Sequence, residues 1–311
     1  MANPHRRAAL GLLFAALLFS TGGAAIKAAS FSGWQIASLR GGIAGLTLLL
    51  LVPAARRGWS WRPTLVALAY AATCVCFVLA TRLTTSANAI FIQATSPLYV
   101  MLLAPLLLRE PVSRREVFFL LPIALGLLLF LFGEQRPAVT APDPALGNLL
   151  ATLSGLTFAF AVIGFRWLGR PSSGPVATSL TAVTIGNFIT CLVVLPFALP
   201  VGAHSATDWA ILLYLGVIQI GLAYYFVTAA LARLTALEAS LLLLLEPVLN
   251  PVWSWLVHGE VPGRAALLGG MLVLGATVVR ALWPERAEPE KTARKGPESD
   301  ASDLTETLSP H

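Results

Sequence analysis

One motif occurs twice in this chain, once in each half. Ala89, Pro97, Glu110 and Arg114 fall in constant register on Ala239, Pro247, Glu260 and Arg264. One residue out of that register, Arg82-Leu83-Thr84 falls on Arg233-Leu234-Thr235. Each copy opens a long apolar stretch that runs through the proline and stops at the glutamate. A self-similar unit of this length in an apolar chain points to a duplicated membrane architecture. Such duplications commonly build secondary transporters, with the substrate site between the copies.

The 311 residues are 57% hydrophobic and 12% charged, whereas a soluble domain carries about 25% charged residues. The chain is therefore too apolar to be mostly water-exposed. A bilayer crossing needs about 20 apolar residues, and ten segments qualify: 8–27, 31–55, 61–82, 86–108, 115–133, 146–166, 176–200, 208–230, 236–258 and 263–283. His5-Arg6-Arg7 and the apolar run after it imitate a secretory signal. A second hydrophobic span follows almost at once, so a retained first helix fits better. Residues 134–145 hold Pro137, Pro142 and Pro144 and form a linker between halves 8–133 and 146–283. Residues 284–311 are charged, without periodicity, and read as a disordered cytoplasmic tail.

Charge placement sets the expected orientation. With the N-terminus inside, the cytoplasmic segments carry Arg6, Arg7, Arg56, Arg57, Arg62, Arg109, Arg114, Arg115, Arg166, Arg170, Arg233 and Arg280, besides the tail. The outer segments carry Lys27, Arg82, Arg136 and Arg264. Both termini are expected in the cytoplasm of a cell with an inner membrane. Five helices per half is an odd number, so the second half enters the membrane inverted relative to the first. The expected fold is all-α, with ten transmembrane helices as two inverted five-helix repeats.

With that layout the chain resembles the EamA-type branch of the drug/metabolite transporter superfamily over residues 8–283. The resemblance rests on the duplicated spans and on two long helices ending in Glu, Ser96-Pro97 through Arg109-Glu110 and Glu246-Pro247-Val248 through Gly259-Glu260. Arg40 in Ala37-Ser38-Leu39-Arg40 and the entry Thr84-Thr85-Ser86-Ala87-Asn88-Ala89 complete it. It implies a helical inner-membrane carrier that exports or exchanges small organic solutes, and it does not identify the solute.

Charges at membrane depth cost at least about 2.5–3.5 kcal/mol and need a partner or a wet cavity. Arg40 lies nine residues into its span and Glu246 ten residues into its own. Either the two line a central cavity, with Arg40 binding a carboxylate or phosphate and Glu246 an amine or a proton, or they form an interhelical pair. Pro97 and Pro247 remove backbone donors at depth and mark helices that kink, either as cavity-facing gates or as static bends that improve packing; Pro105 and Pro251 add candidate second bends. Asn250, one turn after Glu246, and Gln93, one turn before Pro97, are the expected pathway residues. Asn88, Asn187 and Gln219 read as interhelical glue. Trp34, Tyr70, Tyr224 and Tyr225 are candidates for an aromatic cage; Trp34, near a helix end, reads equally as an interface-belt residue, and Tyr70 is the mid-span member. Lys27 is expected to snorkel to the headgroups, and Glu110 and Glu260 to pair with loop bases such as Arg114 and Arg264. Gly41 and Gly45 are expected to bring helices close beside Arg40.

No HExxH, GxSxG or phosphate-binding glycine loop is present, so an enzyme is not expected. Cys74, Cys76 and Cys191 lack metal-ligand spacing, and no cofactor is expected. The bases form no aromatic-interleaved patch, which argues against nucleic acid. The expected partners are a small-molecule substrate, the lipid bilayer and, for coupled export, protons; a homodimer is one of the open oligomeric states. The reading is an alternating-access exporter of a small metabolite such as an amino acid, with an uptake permease or channel-like facilitator as the alternative.

Overall fold

A computed structural model describes residues 4–108, 114–133, 137–169, 177–231, 233, 234, 239 and 242–282. Among these the regular structure is helical, joined by turns and loops, apart from one isolated bridge between Ala138 and Ala141. The helices are α1 (Pro4–Ala28, with a turn at Thr21), α2 (Gly33–Leu51), α3 (Trp61–Leu83), α4 (Ser86–Leu108) and α5 (Arg114–Phe132). They continue as α6 (Pro144–Leu168), α7 (Ala177–Ala198), α8 (Ala206–Ala230), α9 (Leu245–His258) and α10 (Arg264–Leu282).

Seven of the described helices, α1 to α4 and α6 to α8, are long and apolar enough to cross a membrane. Within α5 and α10 the apolar stretches are shorter, Leu120–Phe132 and Arg264–Val279. The outward faces of the helices are as apolar as their packed faces. Leu106 and Phe132 are 76% and 81% exposed, and so many exposed Leu and Phe side chains need lipid rather than water around them.

Several boundaries differ from those expected, for local reasons. The second span ends at Leu51, and Pro53–Arg56 forms a 3-10 turn, because Pro53 has no N–H to continue the ladder. Its start is fixed by a capping box in which Ser32 Oγ accepts from Gln35 N and Gln35 Oε1 accepts from Ser32 N. The interhalf linker gives up its end to α6, since Asp143 Oδ1 accepts from Leu146 N and Pro144 is the first helical residue. The expected span 236–258 is a regular helix from Leu245, with Leu244 in a turn. Residues 235–238, 240 and 241, the linker residues 134–136, Glu110 and the tail lie outside the described residues.

Neither proline kinks a continuous helix. In α4 the helix stops at Gln93, turns through Ala94 and Thr95 and restarts at Ser96. Thr95 donates to the Ile92 carbonyl twice, from Oγ1 at 2.6 Å and from its backbone N at 3.1 Å. Pro97 and Pro247 each sit in the first turn of the restarted helix, where a missing N–H costs nothing. A third irregularity lies in α8, where Tyr214–Leu222 is a π-helix.

Packing follows a regular scheme: α3 lies on α6 and α7, and α8 lies on α1 and α2. α4 lies on α6 and α9 on α1, while α2 pairs with α7 and α5 with α10. The Gly41 and Gly45 pair serves the α2–α7 contact. A Cβ at Gly41 would lie 2.7 Å from the Asn187 carbonyl oxygen, and one at Gly45 would meet the Phe188 ring.

Candidate functional site: a charged cavity at the helix breaks

Helices α1, α2, α3, α4, α6, α8 and α9 enclose a cavity of about 320 Å³ beside the breaks in α4 and α9. Among the described residues that line it, Arg40 is the one base and Glu246 the one acid. Arg40 is 8% exposed. Its Nη2 donates to Gln219 Oε1 at 3.1 Å, while its buried Nε has no hydrogen-bond partner. Glu246 is half-buried in the first turn of α9, at the end of the helix where backbone N–H groups favour negative charge. No ion pair joins Arg40 to Glu246; among the described residues the ion pair lies elsewhere, between Lys27 and Glu260. The interhelical-pair alternative therefore lacks its contact.

The remaining expected site residues divide. Gln93 lines the cavity beside the α4 break and donates to Ser154 Oγ at 2.7 Å, which in turn donates to the Thr73 carbonyl. Tyr70 lines it too, edge-on to Tyr224 at 6.4 Å between ring centroids, and its hydroxyl accepts from Asn187 at 3.5 Å. Pro247 is part of the wall. Pro97 is not: it is half-buried, and its neighbours Ala94 and Ser96 take its place. Asn250 is also outside the wall. It is 1% exposed and turned toward Gly23, where an added Cβ would meet its Oδ1 at 2.8 Å. One turn along α9 from Glu246, its side chain faces α1 rather than the cavity.

The aromatic cage is only half as expected. Trp34 packs against Phe197 and Tyr225 against Phe226, both with substantial exposure. Phe19, Phe77 and Phe158 join Tyr70 and Tyr224 instead. Gln219 is more than glue, because it is the direct partner of Arg40 and donates its own Nε2 to the Phe19 carbonyl at 3.3 Å. Its polarity at mid-span was the available signal; its partner was not readable. Asn88 does act between helices, bonding Asn148.

A second charged centre lies at the end of the molecule where α1 and α9 finish. Lys27 and Glu260 form an ion pair at 2.6 Å with both side chains 4% exposed. Lys27 Nζ also donates to the carbonyls of Thr84, at 2.8 Å, and Thr140. The second carboxylate oxygen of Glu260 accepts from Ser86 N at 3.0 Å. Lys27 thus does not snorkel, and Glu260 pairs with it rather than with Arg264. The cluster ties α1, the α3–α4 junction, the α5–α6 loop and the α9–α10 loop together.

The EamA-like transporter family model matches this chain twice, over residues 6–132 and 145–281. A pseudopaline exporter, CntI, of Pseudomonas aeruginosa is 27% identical over 209 residues, 66% of this chain and 69% of that protein. The uncharacterized protein PA1977 of the same species is 31% identical over 301 residues, 89% of this chain and 98% of its own length. The transporter YetK of Bacillus subtilis is 24% identical over 233 residues, 70% of this chain and 68% of that protein. A solved crystal structure superposes with a TM-score of 0.57 at 19% identity, covering 88% of this chain and 96% of that one. The apolar helices and both family matches make the chain a multi-pass membrane transporter and not an enzyme: it belongs to the EamA-like transporter family of the drug/metabolite transporter superfamily.

Proposed function

We propose that this chain exports a small organic metabolite, such as an amino acid or a related compound, by alternating access across the inner membrane. The observation that carries the reading is the cavity at the two helix breaks, where Arg40 and Glu246 face one space without neutralising each other. A buried base and a half-buried acid left without an ion pair at membrane depth are costly unless a solute or water fills the space between them.

The architecture that goes with it is ten crossings in two inverted five-helix repeats, with both termini cytoplasmic. Exchange of the halves supports it. α3 on α6 corresponds to α8 on α1, α4 on α6 to α9 on α1, and α2 with α7 and α5 with α10 map onto themselves. The breaks before Pro97 and Pro247 fall at equivalent places in the two copies. Inverted halves of this kind rock between two mirror-related packings around a fixed site.

In this conformation the cavity belongs to the inner side. Arg40 lies about 10 Å below the outer start of α2 at 1.5 Å per residue, and the wall continues to Val227, less than a turn from the inner end of α8. The Lys27–Glu260 cluster closes the outer end. Glu246 is the proposed proton site for antiport, since among the described lining residues it is the acid. The name of one relative, an exporter, supports the outward direction.

The test compares extracellular metabolites from cells expressing the intact chain and the Glu246→Gln form at equal membrane levels. A compound that accumulates outside only with the intact chain names the solute and places Glu246 in the cycle. Accumulation identical to empty cells contradicts export.

A further inference from the structure

We infer that Gln219 is a positioning residue that makes the cavity selective for a carboxylate, by orienting the Arg40 guanidinium without neutralising it. The inference rests on the proposal that the cavity holds the transported solute.

The geometry starts from the π-helical turn Tyr214–Leu222, which carries Gln219 at mid-span. Such turns are rare and cluster at functional sites. Two glycines inside it let α2 approach closely. A Cβ at Gly216 would lie 2.5 Å from Ile43 Cγ2, and one at Gly221 would lie 2.4 Å from Thr47 Cγ2. Gly22 on α1 leaves the room for the Gln219 amide, since a Cβ there would meet its Nε2 at 2.7 Å. The amide is locked from both ends. Its Nε2 donates to the Phe19 carbonyl, so its Oε1 must face Arg40, where it accepts from Nη2.

A neutral amide in this place has a specific consequence. It fixes the guanidinium in one orientation yet leaves its full positive charge, and it leaves Nε unpaired in a side chain more than nine-tenths buried. An unpaired buried donor on a charged group is costly, and a carboxylate oxygen is its natural acceptor. The void of about 10 Å³ between Arg40, Asn187 and Thr190 is at the lower limit for one water and takes no organic ion. The 320 Å³ cavity, which the Arg40 side chain also lines, does, with the guanidinium shifting to bring Nε to the carboxylate. With one base and one acid among its described lining residues, a single carboxylate balances Arg40. A phosphate dianion would leave one charge uncompensated and face Glu246.

The test uses the purified full-length chain and two probes that differ only in the acid group, L-phenylalanine and L-phenylalaninamide. Their apparent affinities are measured for the intact protein, for Gln219→Glu, which neutralises Arg40 in place, and for Gln219→Met, which removes the bond at similar volume. Thermal melting of each variant without probe reports folding separately. The intact protein should favour the acid over the amide, and both variants, with melting temperatures near that of the intact chain, should lose that preference at least about tenfold. An acid preference unchanged in folded Gln219 variants overturns the role of Gln219 while leaving the cavity as the solute site. An intact protein that binds neither probe, or both equally, overturns the carboxylate selectivity itself and the reading beneath it.

Discussion

Two centres in this transporter each bring an acid and a base into the interior, and they are built in opposite ways. Where α1 and α9 finish, Lys27 and Glu260 touch at 2.6 Å beside a cavity of about 360 Å³, and the donors and acceptors around them are shared among Thr84, Ser86 and Thr140. In the cavity Arg40 and Glu246 share a wall without an ion pair, and Arg40 Nε is left without an acceptor. The first centre pairs its acid with its base, although Ser86 Oγ beside it is buried without a hydrogen-bond partner, and it joins α1 to three connections of the chain. The second is incomplete by itself. A satisfied pair holds a conformation, whereas an unsatisfied pair is a place for something else to bind.

That contrast is broken most severely at the complete pair. Glu260→Gln leaves Lys27 buried without a counter-charge, and removing one partner of a buried pair costs about 3–5 kcal/mol. Melting in detergent should show a large loss for Glu260→Gln and substantial recovery in the Lys27→Met/Glu260→Gln double variant. Equal losses in single and double variants would mean that the pair does not act as a unit.

Arg40→Gln should behave the other way round. Solute transport should fall on the order of a hundredfold, the equivalent of losing a charged hydrogen bond of about 2–3 kcal/mol, with a melting change well below that of Glu260→Gln. A protein that melts much earlier yet still transports would make Arg40 structural. For Glu246→Gln, pH-driven export in proteoliposomes should vanish while solute exchange at equal pH persists. Undiminished pH-driven export would remove Glu246 from coupling.

A smaller effect is expected from Gly41→Ala. Its new Cβ would lie 2.7 Å from the Asn187 carbonyl oxygen, and overpacking of this kind costs about 1–3 kcal/mol. It should lower the melting temperature modestly without changing solute preference, because the α2–α7 contact lies behind the cavity.

Much of the frame was legible in the chain. Apolar length located the helices, and the repeated Pro97 and Pro247 located the breaks, because a missing N–H acts locally and leaves its mark in sequence. Arg40 and Glu246 stood out because charge at depth is rare. What escaped depends on contacts between helices far apart in the chain. Lys27 reads as a headgroup anchor until Glu260 is brought beside it, and Gln219 reads as glue until α8 turns it onto Arg40. The π-helical turn has no sequence periodicity of its own. Tyr225 and Asn250 were misplaced for a related reason. Helices apolar on every side give no pattern that separates the lipid face, the helix contacts and the cavity.

The most direct measurement is the labelling of Cys74, which lines the cavity, in a chain with Cys76→Ala and Cys191→Ala. A membrane-impermeant maleimide is applied to inside-out and right-side-out vesicles. With the Lys27–Glu260 cluster intact, labelling from the cytoplasmic side should exceed labelling from outside at least about tenfold, since the opposite conformation is then a minor state. Opening the cluster with Lys27→Met/Glu260→Gln should raise the outside rate. Equal labelling from both sides of the intact chain, or an outside rate indifferent to the double variant, would contradict a cavity closed at that end by this pair.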